Sequence, residues 1–263
     1  MPGGLTTGLE PILLPRGNGH LFAVRHRCAI PPRARVLLCP PLLQEHIRSY
    51  RFFAQLAERW THHGIEVVRF DYSGSGDSSG TSQEFAVDRA IRDIRHIWDA
   101  LIRSGDSVPR IVCGIRMGSL LAAHAIHAGL DADMAWWWQP ILAGAPCLDE
   151  MAAIDAHERQ SRSRFPFYPG PAALAGEFMG HVLDARCLQD LSALKWPGLN
   201  VPSRWLLGSE NAIADCMHRE DVIRLPLAFD AWPSQVDFET IIPVRLADTT
   251  TERLLARLPE VAG

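Results

Sequence analysis

The pentapeptide Gly114-Ile115-Arg116-Met117-Gly118 has the spacing of a nucleophile elbow, with an arginine where the attacking oxygen or sulfur belongs. In such a turn the outer glycines let a strand and the following helix crowd together, and the central side chain is pushed out over the sheet edge. Arg116 stays protonated and cannot attack a carbonyl. It can, however, hold negative charge. At a helix N-terminus, beside backbone N–H groups that lack intrahelical acceptors, a guanidinium makes an anion-seeking point suited to a carboxylate, a phosphate or a carbonyl oxygen gaining charge. A partly buried pair of this kind contributes roughly 1.5–3 kcal/mol. The other use of the cation is internal, in a salt bridge to Glu45, Asp71 or Asp230. Both can hold in turn if the internal carboxylate is displaced on binding.

Other residues able to do chemistry lie in three loops. Glu45, His46 and Arg48 follow Pro40-Pro41; a carboxylate near an arginine either pairs with it or, when desolvated, moves protons. Asp71 opens the stretch Asp71-Tyr72-Ser73-Gly74-Ser75-Gly76-Asp77-Ser78, where its side chain can brace the glycine turn. That turn lacks the third glycine of a dinucleotide fingerprint. Trp138 and Gln139 end an apolar run at a pocket edge. Arg116, Glu45 and Asp230 are therefore read as the chemically active groups, and Leu42, His46, Arg48, Met117, Trp138 and Gln139 as substrate-binding. Ser119 lies three residues past the apex, inside the helix, and reads as structural. Cys39, at a strand end, is a better thiol candidate than Cys113 within its strand. His157 and His181 reach the site only if their segment folds over it. No cluster has metal-ligand spacing, and no cofactor is expected.

Positioning these loops takes alternating strands and helices. Leu21–Ala29 and Ala34–Cys39 read as opening strands, about 48–62 as an amphipathic helix ending at Gly64, and Ile65–Phe70 as a strand. A helix over Phe85–Ile102 follows, then the elbow strand Ile111–Cys113 with a helix over Ser119–Ala128, and an apolar run from Met134 to Ala143. Cycles of thirty to forty residues imply right-handed crossovers and a doubly wound, mostly parallel sheet, with ligands outside the carboxyl ends of the strands. From about 146 to 197 the alternation breaks into helical pieces interrupted by prolines, an insertion expected to lie over the site as a lid. Ser203–Gly208 and Asp221–Phe229 then resume as strands, and Thr250–Leu258 closes as a helix. All of 1–263 reads as one α/β domain.

With 263 residues, 47% of them hydrophobic, a sizeable core is possible. The net charge of -4 provides no long-range attraction to nucleic acid or anionic lipid. Six scattered cysteines, without C-x-x-C spacing, read as buried free thiols. The first ten residues lack a basic and apolar leader, and no stretch approaches a membrane span, so a cytoplasmic protein acting on a small molecule is expected.

Taken in order, the motifs resemble the α/β-hydrolase fold over nearly the whole chain. Phe70–Ser78 is similar to the strand-end loop F-D-x-x-G-x-G-x-S, and the elbow follows in register. Pro40–Ser49, the G-x-R-x-G elbow and Trp138–Gly144 most resemble a divergent hydrolase-like group from bacterial biosynthetic and exosortase-associated gene neighbourhoods. The resemblance implies a Ser-His-Asp site, and this chain departs from it at all three positions. Arg116 replaces the serine. The acid position matches Asn211, beside Glu210, and no histidine follows His218; Phe229-Asp230-Ala231-Trp232-Pro233 fills the expected histidine loop. Because triad members act as a unit, the expected function is an atypical enzyme on an acyl, ester or carboxylate-bearing substrate, or a non-catalytic pseudohydrolase binding an acidic ligand or a partner enzyme.

Overall fold

The computed structural model describes residues 8–160, 174–178, 180–208, 221–225, 244–256 and 258. Strands β1 (Gly8–Arg16), β2 (Gly19–Arg27), β3 (Ala34–Cys39), β4 (Ile65–Phe70), β5 (Arg110–Ile115), β6 (Met134–Trp138), β9 (Ser203–Leu207) and β10 (Val222–Arg224) form one sheet, ordered β1-β2-β4-β3-β5-β6-β9-β10. The pairs β1/β2 and β2/β4 are antiparallel and the rest are parallel. Helices α1 (Leu43–Thr61), α2 (Val87–Ile97), α3 (Met117–His127) and α6 (Val244–Leu255) cover its faces.

Both faces of the central strands are buried, which is why they read as continuous apolar runs. Alternation along β3 and β6 splits the core in two. Val36, Leu38, Trp136 and Trp138 pack with α1 and α6, whereas Leu37 and Trp137 pack with α2 and α3. The three consecutive tryptophans are thus divided between the faces. Trp136 meets Trp60 edge-on at 5.3 Å between centroids, and Trp138 meets Phe53 at 5.2 Å. Trp137 meets Trp196 at 4.9 Å.

Three elements differ from the sequence expectation, among them α6, which runs over Val244–Leu255 and so starts six residues before Thr250. The sequence marks no strand before Leu21, yet β1 pairs with β2 along its whole length. Its Pro11 and Pro15 disguise it: proline cannot donate to a ladder, so it is tolerated here only because β1 is an edge strand. Helix α1 begins at Leu43 and not near Arg48, because Leu42, an extended residue with no side-chain cap, carries no helix-start signal. Glu45 and His46 consequently sit on a rigid first turn and not in a loop.

Between β6 and β9 lie α4 (Gly144–Arg159), the hairpin β7 (Glu177–Phe178)/β8 (His181–Val182) and α5 (Ala185–Ala193). This stretch leaves and returns at one place: Gly144 N donates to Leu194 O at 2.9 Å, Trp196 N to Leu142 O at 2.8 Å, and Ala143 bridges Lys195. Among the described residues, no helix is long and apolar enough to cross a membrane.

Candidate functional site

The elbow is built as its spacing predicts. Arg116 links β5 to α3 with φ 50° and ψ -123°, a conformation costing about 1–3 kcal/mol for a residue with a side chain. Three backbone bonds fix it: Arg116 N donates to Trp138 O at 3.0 Å, while Arg116 O accepts from Ser119 N at 2.9 Å and Ile141 N at 3.3 Å. The flanking glycines answer to contact. A Cβ on Gly114 would lie 2.4 Å from Ser119 Cα, and one on Gly118 would lie 2.2 Å from Pro40 O and 2.4 Å from Cys39 O. Since both obstacles at Gly118 are backbone, Gly118→Ala is expected to lower stability by about 1–3 kcal/mol or more in urea unfolding, and a loss under 0.5 kcal/mol would show that the β3 end yields.

The apex side chain lies between two carboxylates. Arg116 Nε donates to Glu45 Oε1 at 3.0 Å, and Nη2 donates to Glu150 Oε2 at 2.8 Å. Glu45, in the first turn of α1, is 4% exposed at its side chain, while Glu150, on α4, is 42% exposed. Burial alone would lower the Arg116 pKa; the charges of Glu45 and then Glu150 outweigh it and raise the pKa above the ordinary arginine value. Of the three internal partners anticipated for Arg116, Glu45 is the one found. Asp71 is engaged elsewhere, and Asp230, Glu210 and Asn211 lie outside the described residues. Nothing in the local sequence of Glu150 marks an ion pair spanning 34 positions.

A second pair stands beside the first. His46 Nε2 lies 3.0 Å from Asp71 Oδ1, with both residues buried. Asp71 Oδ2 accepts from Asp77 N at 2.9 Å, so Asp71 braces the glycine loop as read and also orients His46. Gly76 is needed there, because a Cβ would meet Asp71 Oδ2 at 2.1 Å.

Two cavities meet at Leu43, itself in a left-handed conformation at φ 54°. The smaller, about 20 Å³, is lined by Leu43, Glu45, Arg48, Met151, Ile154 and Phe178. The larger, about 180 Å³, takes in His46, Leu42, Ile47, Phe85, His181 and Leu183. The β7/β8 hairpin therefore walls both, and helix α4 walls the smaller alone. Of the expected substrate-binding residues, Leu42, His46 and Arg48 line these cavities. Met117 opens α3 with its side chain buried, and Trp138 is a core residue that acts on the site through the carbonyl holding Arg116 N. Gln139 is 6% exposed, held at φ 42° after β6.

No described thiol or hydroxyl here is poised to attack. Burial pushes Cys39 and Cys113 far up, and burial with the Glu45 charge pushes Cys147 up to about 12. Ser119 Oγ is buried and makes no hydrogen bond among the described residues. No group of three or more His, Cys, Asp or Glu among them could hold a metal ion.

A family model described as serine aminopeptidase S33 matches residues 30–229. No curated protein matches. Solved structures do: a serine hydrolase without a lid from Xanthomonas campestris is 14% identical with a TM-score of 0.61, covering 97% of this chain and 98% of that one. Est1E of Butyrivibrio proteoclasticus, solved with ferulic acid bound, is 14% identical at a TM-score of 0.60, covering 92% and 99%. A proline iminopeptidase-related protein of Thermus thermophilus is 16% identical at 0.60, covering 97% and 100%.

Proposed function

Since this chain belongs to the serine aminopeptidase S33 family of the α/β-hydrolase fold, we propose that it keeps the hydrolase scaffold but works without an acyl-enzyme, using Arg116 to hold an acidic or acyl small molecule. The observation that carries the reading is the apex itself: a guanidinium held in the nucleophile's strained conformation and within hydrogen-bonding reach of two carboxylates. Such a group binds and polarises an oxyanion but forms no ester.

Glu45, committed to Arg116, is better placed to position the cation than to move protons. His46 takes the second role. With Nε2 on Asp71, it has the orientation of a general base and lines the larger cavity, where its remaining nitrogen, Nδ1, can accept a proton from water or substrate while Asp71 stabilises the imidazolium. The reaction class that fits is addition, elimination or isomerisation next to a carboxylate, in a bacterial biosynthetic or assembly pathway, with α4 and the hairpin serving as the lid. The second reading, a pseudohydrolase that only binds, is favoured by the same two carboxylates, which already neutralise Arg116.

A fluorophosphonate probe separates both from a serine hydrolase: no labelling is expected at any pH from 6 to 9, and stoichiometric labelling of any side chain would end this account. Between the two, His46→Gln should abolish turnover of pathway acids while leaving their binding within a few fold; absence of turnover in the unaltered protein selects the pseudohydrolase.

A further inference from the structure

We propose that the 180 Å³ cavity is a binding site of its own, for a small uncharged alcohol whose hydroxyl donates to Nδ1 of His46. Glu45 and Arg48 line the smaller cavity; among the described residues no lysine, arginine, aspartate or glutamate lines the larger. Its polar groups are the rings of His46 and His181 and the hydroxyls of Ser75 and Ser82, beside an apolar wall that includes Leu42, Phe85 and Leu183. An apolar cavity of about 150 Å³ takes one benzene ring, so the larger cavity holds one ring, or about six carbons, with a hydroxyl attached. The site rests on His46 as a hydrogen-bond acceptor, and it requires neither turnover nor Arg116.

The orientation of His46 decides what it asks of a ligand. Its Nε2 lies 3.0 Å from Asp71 Oδ1, and a carboxylate only accepts, so in the neutral ring the proton is on Nε2 and Nδ1 carries a lone pair. Nδ1 makes no hydrogen bond to any described residue, and it is not among the buried polar atoms left without one, so it stays open to a ligand. A hydroxyl answers that lone pair without bringing a charge into an apolar wall. A carbonyl oxygen would set one lone pair against another, and a carboxylate would do the same while giving up its water with no cation to replace it. An ammonium could donate to Nδ1, with the Asp71 charge behind the ring. That charge is already met by Nε2–H and by Asp77 N at 2.9 Å, so one neutral nitrogen would stand in for the whole hydration shell of the cation. His181 adds no cation, because burial lowers its pKa and leaves the ring neutral at neutral pH. Its ring and the two serine hydroxyls both donate and accept, so the choice of a donor falls to His46.

Titration of the full chain with benzyl alcohol, benzaldehyde, benzoate and benzylammonium at neutral pH, followed by NMR, tests this in the wild type and in His46→Gln. The glutamine amide can still donate to Asp71, but it removes the acceptor at the Nδ1 position. Benzyl alcohol should bind the wild type, with benzaldehyde about five-fold weaker and both ions about ten-fold weaker or worse. Its ring protons should show Overhauser contacts to the side chains of Phe85 and Leu183. In His46→Gln the preference for the alcohol over benzaldehyde should vanish. The proposal is overturned if benzyl alcohol does not bind the wild type, if benzaldehyde or either ion binds as well, or if the contacts fall on other residues. A preference that survives in His46→Gln overturns it too, by moving the acceptor off His46. Should that variant not fold, the wild-type series and its contacts decide alone. None of these outcomes tests Arg116, so this site can fail while the reading of the elbow stands.

Discussion

Arg116→Met should lower the unfolding free energy by about 3–5 kcal/mol, a loss most core truncations do not reach. Little of it would come from lost attraction. The methionine leaves Glu45 at 4% exposure without the guanidinium that bonds its Oε1, and a buried carboxylate that loses a charged partner bears more of its desolvation penalty. Glu45→Gln should cost less, about 1–2 kcal/mol, because Arg116 keeps its bond to Glu150. The double variant R116M/E45Q then removes both charges and should be more stable than Arg116→Met alone, giving a coupling energy of about 2 kcal/mol or more in a double-mutant cycle by urea unfolding. Additive losses would show that water reaches Glu45 and that the pair is a surface ornament. A large coupling carries a functional meaning as well. The inner pair would be fixed architecture, leaving only the outer bond, to Glu150, free to exchange for a ligand.

Much of this site could be read from the chain because its parts are local. The elbow needs only Gly114, Arg116 and Gly118 in register, and the two glycines are required by backbone atoms a few ångströms away. The Asp71 loop is similarly local, since Asp71 bonds Asp77 N six residues on. What escaped detection depends on distant partners. His46 and Asp71 are 25 positions apart, and Arg116 and Glu150 are 34 apart on either side of the β6 crossover. No periodicity encodes such pairs. Trp138 was misplaced at a pocket edge for a different reason: in a parallel strand buried on both faces, every side chain is apolar, so alternation cannot say which one faces the site. The helix start at Leu43 carries no cap, and the prolines of β1 argue against the strand they occupy. Both features are settled by the sheet and not by propensity.

A second large effect lies away from the elbow, on the antiparallel side of the sheet. His26 of β2 is 2% exposed, and its Nε2 accepts from Arg69 Nε at 3.0 Å. An arginine can only donate, so the imidazole proton sits on Nδ1, which is buried without a hydrogen-bond partner among the described residues. Burial first, and the Arg69 charge second, lower the His26 pKa to about 4. The guanidinium is itself held 4.6 Å from the Tyr50 ring centroid, so it is not free to retreat. In the unfolded chain this histidine takes its proton near pH 6.5, whereas in the folded chain it resists until about pH 4. The unfolded state therefore binds more protons between those values. The stability contributed by a neutral His26 is complete above pH 6.5 and is lost as pH falls, by about 3 kcal/mol once pH drops below 4. Other carboxylates titrate in the same window, so the informative quantity is the difference between wild type and His26→Gln, whose amide oxygen can still accept from Arg69. That difference should change by about 3 kcal/mol between pH 7 and 4, with the wild type losing more. Parallel curves would mean that His26 becomes protonated inside the folded protein, and that Arg69 can leave it to make room for the second charge.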